Sequence, residues 1–161
     1  MTCYNRYSYL LRSIKSLFNT NFDEPTNLYL FDDNSEDSRI KKLLESLGHK
    51  DNLKLHITYN KKNIGCDPNM LLSIKTAFDN TDKNFVITTD SDAIYHPDWY
   101  TNLRDRTLEV QEKIAGVSTF NTPAHPTIAD YNEHLVEKES LGGFALAISR
   151  ELFSQIPLNQ P

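Results

Sequence analysis

The chain has 161 residues, 39% of them hydrophobic and 24% charged, with a formal charge of −5. That length suits one domain with a real core, and the acidic balance argues against a nucleic-acid partner that needs a broad basic face. No apolar run approaches the roughly 20 residues that span a bilayer, and two cysteines, Cys3 and Cys66, are too few for a disulfide scaffold.

Taken in chain order, the apolar residues alternate between helical and strand spacing. Tyr7, Leu10, Leu11, Ile14, Leu17 and Phe18 predict an amphipathic helix over 7–18. Leu28 to Asp32 is a short apolar run that suits a buried strand. Ile40, Leu43, Leu44 and Leu47 form a second helical stripe, with Gly48 placed as its stop. Leu53, Leu55, Ile57 and Tyr59 alternate as in a strand. Met70, Leu71, Ile74, Ala77 and Phe78 return to helical spacing, and Phe85 to Thr89 is the next strand candidate. A helix is expected after Pro97, because proline suits a first helical turn. Ala115 to Phe120 and Phe144 to Ile148 read as later strands, and Ser149 as the cap of a last helix through Ile156. Such alternation predicts an α/β layer fold with a mostly parallel sheet. The first helix is preceded by only six residues, so the strand expected to open such a unit is either truncated or absent.

Two acidic clusters come directly after strand candidates. Asp32-Asp33-Asn34-Ser35 comes after Phe31, and Asp90-Ser91-Asp92 after Thr89. In a parallel sheet both emerge at the carboxyl ends of strands, where open α/β sheets bind ligands. In an extended segment Asp90 and Asp92 point the same way. Two convergent carboxylates repel unless a proton or cation intervenes. Mg²⁺ or Mn²⁺ takes oxygen ligands and commonly joins protein carboxylates to substrate phosphates. An Asp- and Ser-rich turn is the alternative for the second cluster, and helix capping the alternative for the first.

In order, these segments resemble the nucleotide-binding half of the family 2 inverting glycosyltransferases, which have the GT-A fold. Thr2-Cys-Tyr-Asn-Arg6 resembles the family's first-strand ending, and Tyr9 to Leu17 the helix after it. Leu30-Phe-Asp-Asp-Asn-Ser-Glu-Asp37 resembles its D-D-x-S-x-D signature, and Asn63-Ile-Gly65 with Asn69 its N-x-G…N stretch. Phe85 to Asp92 resembles the D-x-D strand, and Pro97-Asp-Trp99 the proline and aromatic positions beyond it. Gly142 to Arg150 resembles the acceptor-side strand.

The resemblance implies a single GT-A-like domain over 1–161, a Rossmann-like three-layer sandwich shortened at both ends. It implies transfer of a sugar from a nucleotide-diphospho-sugar, most simply a UDP-sugar, with inversion and with a divalent cation, Mn²⁺ or Mg²⁺. Thr2 and Tyr4 would line the base pocket, Asp33 would accept a hydrogen bond from the base, and Asp32 would support the loop. Arg6, Asn63, Gly65, Asn69 and Ser91 fall on the same donor-binding surface. Asp90 would contact the donor and share the metal with Asp92. Glu139, Gly142 and Gly143 would lie on the acceptor side, where Glu137 is a further acid. The family's general base is expected beyond Pro161. The acceptor, whether glycan, lipid or protein, is not implied. The competing readings are a catalytically silent nucleotide-sugar-binding module and a sugar nucleotidyltransferase, which would want a glycine- and Arg/Lys-rich phosphate loop.

Other features point less far. His49, His56, His96, His125 and His134 show no metal-ligand spacing. Cys66 reads as a small buried thiol, and Lys61-Lys62 as a solvated pair. No G-x-G-x-x-G, P-loop or G-x-S-x-G motif occurs. The first residues lack the regions of a signal peptide. The expected location is cytoplasmic, or peripheral at the cytoplasmic face of a membrane.

Overall fold

The structure is a computed structural model that describes residues 1–110, 116–119, 122–141 and 144–157. Its elements are β1 (Thr2–Cys3), α1 (Tyr7–Phe18), β2 (Thr26–Asp32), α2 (Ser38–Glu45), β3 (Leu53–Tyr59), α3 (Cys66–Asp79), β4 (Phe85–Ile87), α4 (Trp99–Val110), β5 (Gly116–Ser118), β6 (Thr127–Asp130), β7 (Val136–Lys138), β8 (Leu146–Ser149) and α5 (Arg150–Ser154). The helical stripes and apolar runs form close to where their spacing places them, with β4 ending at Ile87 and β8 spanning Leu146–Ser149; Ala115 and Phe120, the ends of one expected strand, lie outside the described residues. The shortened first strand is present as a two-residue β1.

β1, β2 and β3 form a parallel sheet in that order. Thr2 stands opposite Phe31, and Thr26 to Asp32 opposite Leu53 to Tyr59. The connections through α1 and α2 are the crossovers that parallel neighbours require. β4, β8 and β5 form a second, antiparallel sheet with β8 in the middle. Gly116 is fixed by that pairing, because a Cβ there would stand 2.5 Å from the Ala147 carbonyl oxygen.

Strand side chains alternate between two helical layers. Leu28, Leu30 and Ile57 pack with Leu10, Ile14 and Leu17 of α1 and with Ile40 and Leu44 of α2. Val86 and Ile148 pack with Ile74 and Phe78 of α3 and Phe153 of α5. Phe85, Ile87 and Ala147 pack with Leu103 and Val110 of α4. Helices on both faces of the strands make three layers.

Three local features differ from expectation. α2 ends at Glu45 with Ser46 as its cap, and Gly48 stays out of the left-handed region that a glycine stop uses. Cys66 is exposed, since it opens α3 at the surface, while Cys3 is buried in β1. The β6–β7 hairpin lacks a sequence signal because the residues of β6 are all exposed and those of β7 nearly so. Among the described residues, no helix is long and apolar enough to cross a membrane.

Candidate active site

The site is built around one loop, Tyr4 to Arg6, between β1 and α1. Asn5 and Arg6 both adopt left-handed backbone conformations, with φ of 51° and 54°. This turn sends consecutive side chains to different neighbours. The Asn5 carboxamide oxygen accepts hydrogen bonds from the Glu36 and Asp37 amides at 3.0 and 3.1 Å, and the Asn5 amide donates to Ser35 Oγ at 2.7 Å. Arg6 reaches the other way, with Nη1 2.9 Å from Asp92 Oδ2 and its guanidinium over the Tyr9 ring. The two acidic clusters therefore flank the same loop, one at the end of β2 and the other beyond β4.

The first cluster is a buried scaffold. Asp32 is 4% exposed and accepts from the Ser35 amide and hydroxyl, with a long thiol contact from Cys3. Burial, together with Asp32, pushes the Cys3 thiol up to about 12, so it stays protonated. Asp33, 3% exposed, accepts from Asn60 Nδ2 at 2.8 Å, Ile64 N at 3.0 Å and Gly65 N at 2.8 Å. A carboxylate has about four acceptor positions, so Asp33 spends most of its capacity holding the 60–65 loop. α2 is capped by neither aspartate: Asp37 accepts from the Arg39 amide.

The 60–65 loop forms a wall beside Asp33. Asn63 Oδ1 accepts from Gly65 N at 2.9 Å. Gly65 has φ 91° and ψ 165° as it enters α3, a region that is essentially glycine-only. Asn69 is 2% exposed, and its Oδ1 accepts from Asn60 Nδ2 at 3.0 Å. Asn60 thus links Asp33 to Asn69. The sequence did not single it out, although a polar residue at the end of β3 is the type of position that ligand-binding edges use.

The second cluster lies in a turn. β4 ends at Ile87, so the extended alternation expected of Asp90 and Asp92 does not hold. The turn is held from below: the Asp90 carbonyl accepts from Ser13 Oγ at 3.1 Å and from Tyr95 Oη at 2.8 Å, and the Tyr95 amide donates to Ser16 Oγ. Ser13, Ser16 and Tyr95 are positioning residues that no sequence pattern marks. Burial raises the Asp90 carboxyl above its ordinary range, Asp92 raises it further, and the Met1 ammonium opposes both. Ser91 is half-buried between them.

This donor set fits a hard cation. Two carboxylates repel across the turn, and one exposed guanidinium supplies the countercharge. Among the described residues, no group of three His, Cys, Asp or Glu side chains converges as a protein-only metal cage. Mg²⁺-type sites need only one or two carboxylates when a diphosphate and water complete the shell.

Tyr4 is 41% exposed at the loop, and Thr2 is half-buried beside Phe31. Glu137 and Glu139 are exposed on or beside β7. Glu139 N donates to the Pro126 carbonyl, and among the described residues no hydrogen bond joins either glutamate to Asp90 or Asp92. Gly142 and Gly143 lie outside the described residues.

With this geometry in place, the comparisons are specific. The model for "Glycosyl transferase family 2" matches residues 1–156. The chain belongs to this family. No curated protein matches it. Among solved structures, a mannosyltransferase from Pyrobaculum calidifontis in complex with GDP-Man and Mn²⁺ superposes with a TM-score of 0.67 at 17% identity, over 98% of this chain and 46% of that one. S. aureus TarS 1-349 in complex with UDP superposes with a TM-score of 0.54 at 18% identity, over 80% of this chain and 40% of that one. The family 2 chain therefore has the GT-A glycosyltransferase fold and spans less than half the length of these neighbours.

Proposed function

We propose that this family 2 chain is the donor-binding part of an inverting glycosyltransferase that uses a nucleotide-diphospho-sugar and a divalent cation. One observation carries the reading: Asn5 and Arg6 are adjacent in one loop, and the Asn5 amide bonds Ser35 of the first cluster while the Arg6 guanidinium pairs with Asp92 of the second. A single ligand lying across that loop can meet both.

In this reading the base lies against Tyr4, whose ring is open to solvent, with Thr2 beneath it. The acceptor position that the protein leaves on Asp33 takes a base N–H, as the uracil of UDP offers. Asp32 holds the loop, and Asn63, Gly65 and Asn69 form the wall. Asp90 and Ser91 meet the ribose or sugar. Asp90 and Asp92 would hold Mn²⁺ or Mg²⁺, which would supply positive charge against the leaving diphosphate. Arg6, now paired with Asp92, would be available to a phosphate oxygen. The acceptor hydroxyl attacks the anomeric carbon, the bond from that carbon to the diphosphate oxygen breaks, and the hydroxyl proton passes to a general base. We assign that base to no residue of this chain. The family match disfavours a sugar nucleotidyltransferase.

Calorimetry with UDP tests the reading, in Mn²⁺ and in EDTA. Asp92→Ala is expected to lose at least about tenfold in UDP affinity in Mn²⁺, equivalent to about 1.4 kcal/mol, and to match the parent chain in EDTA. Asp33→Ala is expected to bind UDP more weakly in both. Equal affinity of parent and Asp92→Ala in Mn²⁺ would remove the metal role.

A further inference from the structure

Arg6 sets aside three local preferences at the start of α1. It stands at the N-cap, where a short side chain with an oxygen is favoured, and its side chain makes no cap. Its backbone is left-handed, with φ 54° and ψ 45°, a conformation that is strained for a residue with a long side chain. It also places a positive charge at a helix N-terminus, where the helix dipole opposes it, and the first turn of α1 holds no acid to offset that. A residue that departs from local preference in this way points to a role in binding.

The Arg6 backbone is fixed, whereas its side chain is open to solvent. The Tyr9 and Leu10 amides donate to the Arg6 carbonyl at 3.0 and 3.1 Å. The side chain is 61% exposed, and that of Asp92 is 42% exposed. Arg6 Cζ lies 4.7 Å from the centre of the Tyr9 ring, which restrains the guanidinium beside the 90–92 turn. Arg6 Nη1 donates to Asp92 Oδ2 at 2.9 Å, and among the described residues Asp92 has no other cationic partner. A guanidinium carries five N–H donors in a planar fork. Among the described residues, Asp92 is the only protein group that takes one of them.

We propose that Arg6 is a resident counter-cation that takes the place of the divalent ion between Asp92 and the donor diphosphate. The inference rests on the donor-site reading above and goes beyond it. Without a divalent ion, one edge of the guanidinium stays on Asp92 and another bonds a diphosphate oxygen, so a single protein charge holds two anionic groups together. With Mn²⁺ present, Asp92 is shared between two positive charges that repel each other. Arg6 then gives up Asp92, which an exposed pair does at little cost. Arg6 and the ion are alternative countercharges for the same two groups. The chain therefore captures a nucleoside diphosphate before the ion arrives.

Calorimetry with UDP, in EDTA and in saturating Mn²⁺, tests this on the parent, Arg6→Met, Arg6→Gly and Arg12→Met. Glycine suits the left-handed backbone, so Arg6→Gly removes the guanidinium without adding strain. Both Arg6 variants are expected to lose about fivefold or more in UDP affinity in EDTA and less than about twofold in Mn²⁺, since the charge-assisted bond matters only when no ion replaces it. Mn²⁺ alone is expected to bind both Arg6 variants about threefold tighter than it binds the parent, because Asp92 is no longer held. Arg12→Met, which removes another exposed cation of α1, is expected to match the parent throughout. An equal loss of UDP affinity in EDTA and in Mn²⁺ would make Arg6 an ordinary phosphate ligand and overturn the inference, while leaving the donor-site reading intact. So would Mn²⁺ binding that is unchanged in the Arg6 variants, or the same pattern in Arg12→Met. A parent chain that binds UDP in neither condition would overturn the donor-site reading and this inference with it.

Discussion

Single side chains in this protein gain their roles from their surroundings. Asp32 and Asp33 are neighbours at the end of one strand, yet one holds Ser35 and the other holds the 60–65 loop. Asp92 is exposed and paired with Arg6. An exposed ion pair contributes little to stability, so the contact gives way readily to a stronger competitor. The Met1 amine is a sharper case. Burial is the largest influence on it and holds it at about 6, below its ordinary 8, although Cys3 and Asp90 pull it upward. Between pH 8 and pH 6 the unfolded chain takes up a proton that the folded chain does not. Stability therefore rises with pH through that window, falls as pH drops from 8 to 6, and is level below it. The expected change is on the order of 2 kcal/mol. Urea unfolding from pH 5.5 to 8.5, compared with the N-acetylated chain, measures it: acetylation is expected to remove this part of the slope. Identical slopes would mean that the amine is solvated in the folded state.

Elements are fixed by their ends as much as by their apolar faces. Ser149 accepts from the Leu152 amide at 3.1 Å and caps α5, as its position after a strand run suggested. Arg150 does more than open that helix. Its guanidinium donates to the carbonyls of Phe78, Thr81 and Lys83 and lies over the Phe78 ring, so it closes the end of α3 and the turn into β4. Arg150→Ala leaves these carbonyls to water, and charge-assisted hydrogen bonds are the stronger kind. A loss of about 1.5–3 kcal/mol is expected. Arg150→Lys is expected to recover only part of it, because an ammonium cannot spread over three carbonyls as a planar fork does. Chemical unfolding of both variants checks this, and a lysine variant as stable as the parent would reduce the contact to simple charge. The helices were readable because their apolar stripes repeat every three to four residues. The β6–β7 hairpin was not, since its strands are exposed and carry no such contrast. Cys66 was read as buried because a free cysteine usually is, whereas it opens α3 just after Gly65 and lies at the surface.

The whole molecule joins a parallel and an antiparallel sheet, with the candidate site at one edge and a cavity of about 520 Å³ between β2 and β4. β1 leads into the Tyr4–Arg6 loop, and the buried Met1 lines that cavity.

Local order along the chain determined much of this protein: the alternation of helices and strands, the acids at strand ends, and the motif series that marks family 2. These come from periodicity and from residues adjacent in sequence. Only the tertiary structure decided what the acids do. It turned Asp33 toward the 60–65 loop, folded Asp90 and Asp92 into a turn, and made Asn5, Asn60, Ser13 and Tyr95 their supports. The reason is that a hydrogen bond between residues as far apart as 77 positions depends on how layers stack, and no spacing along the chain encodes it.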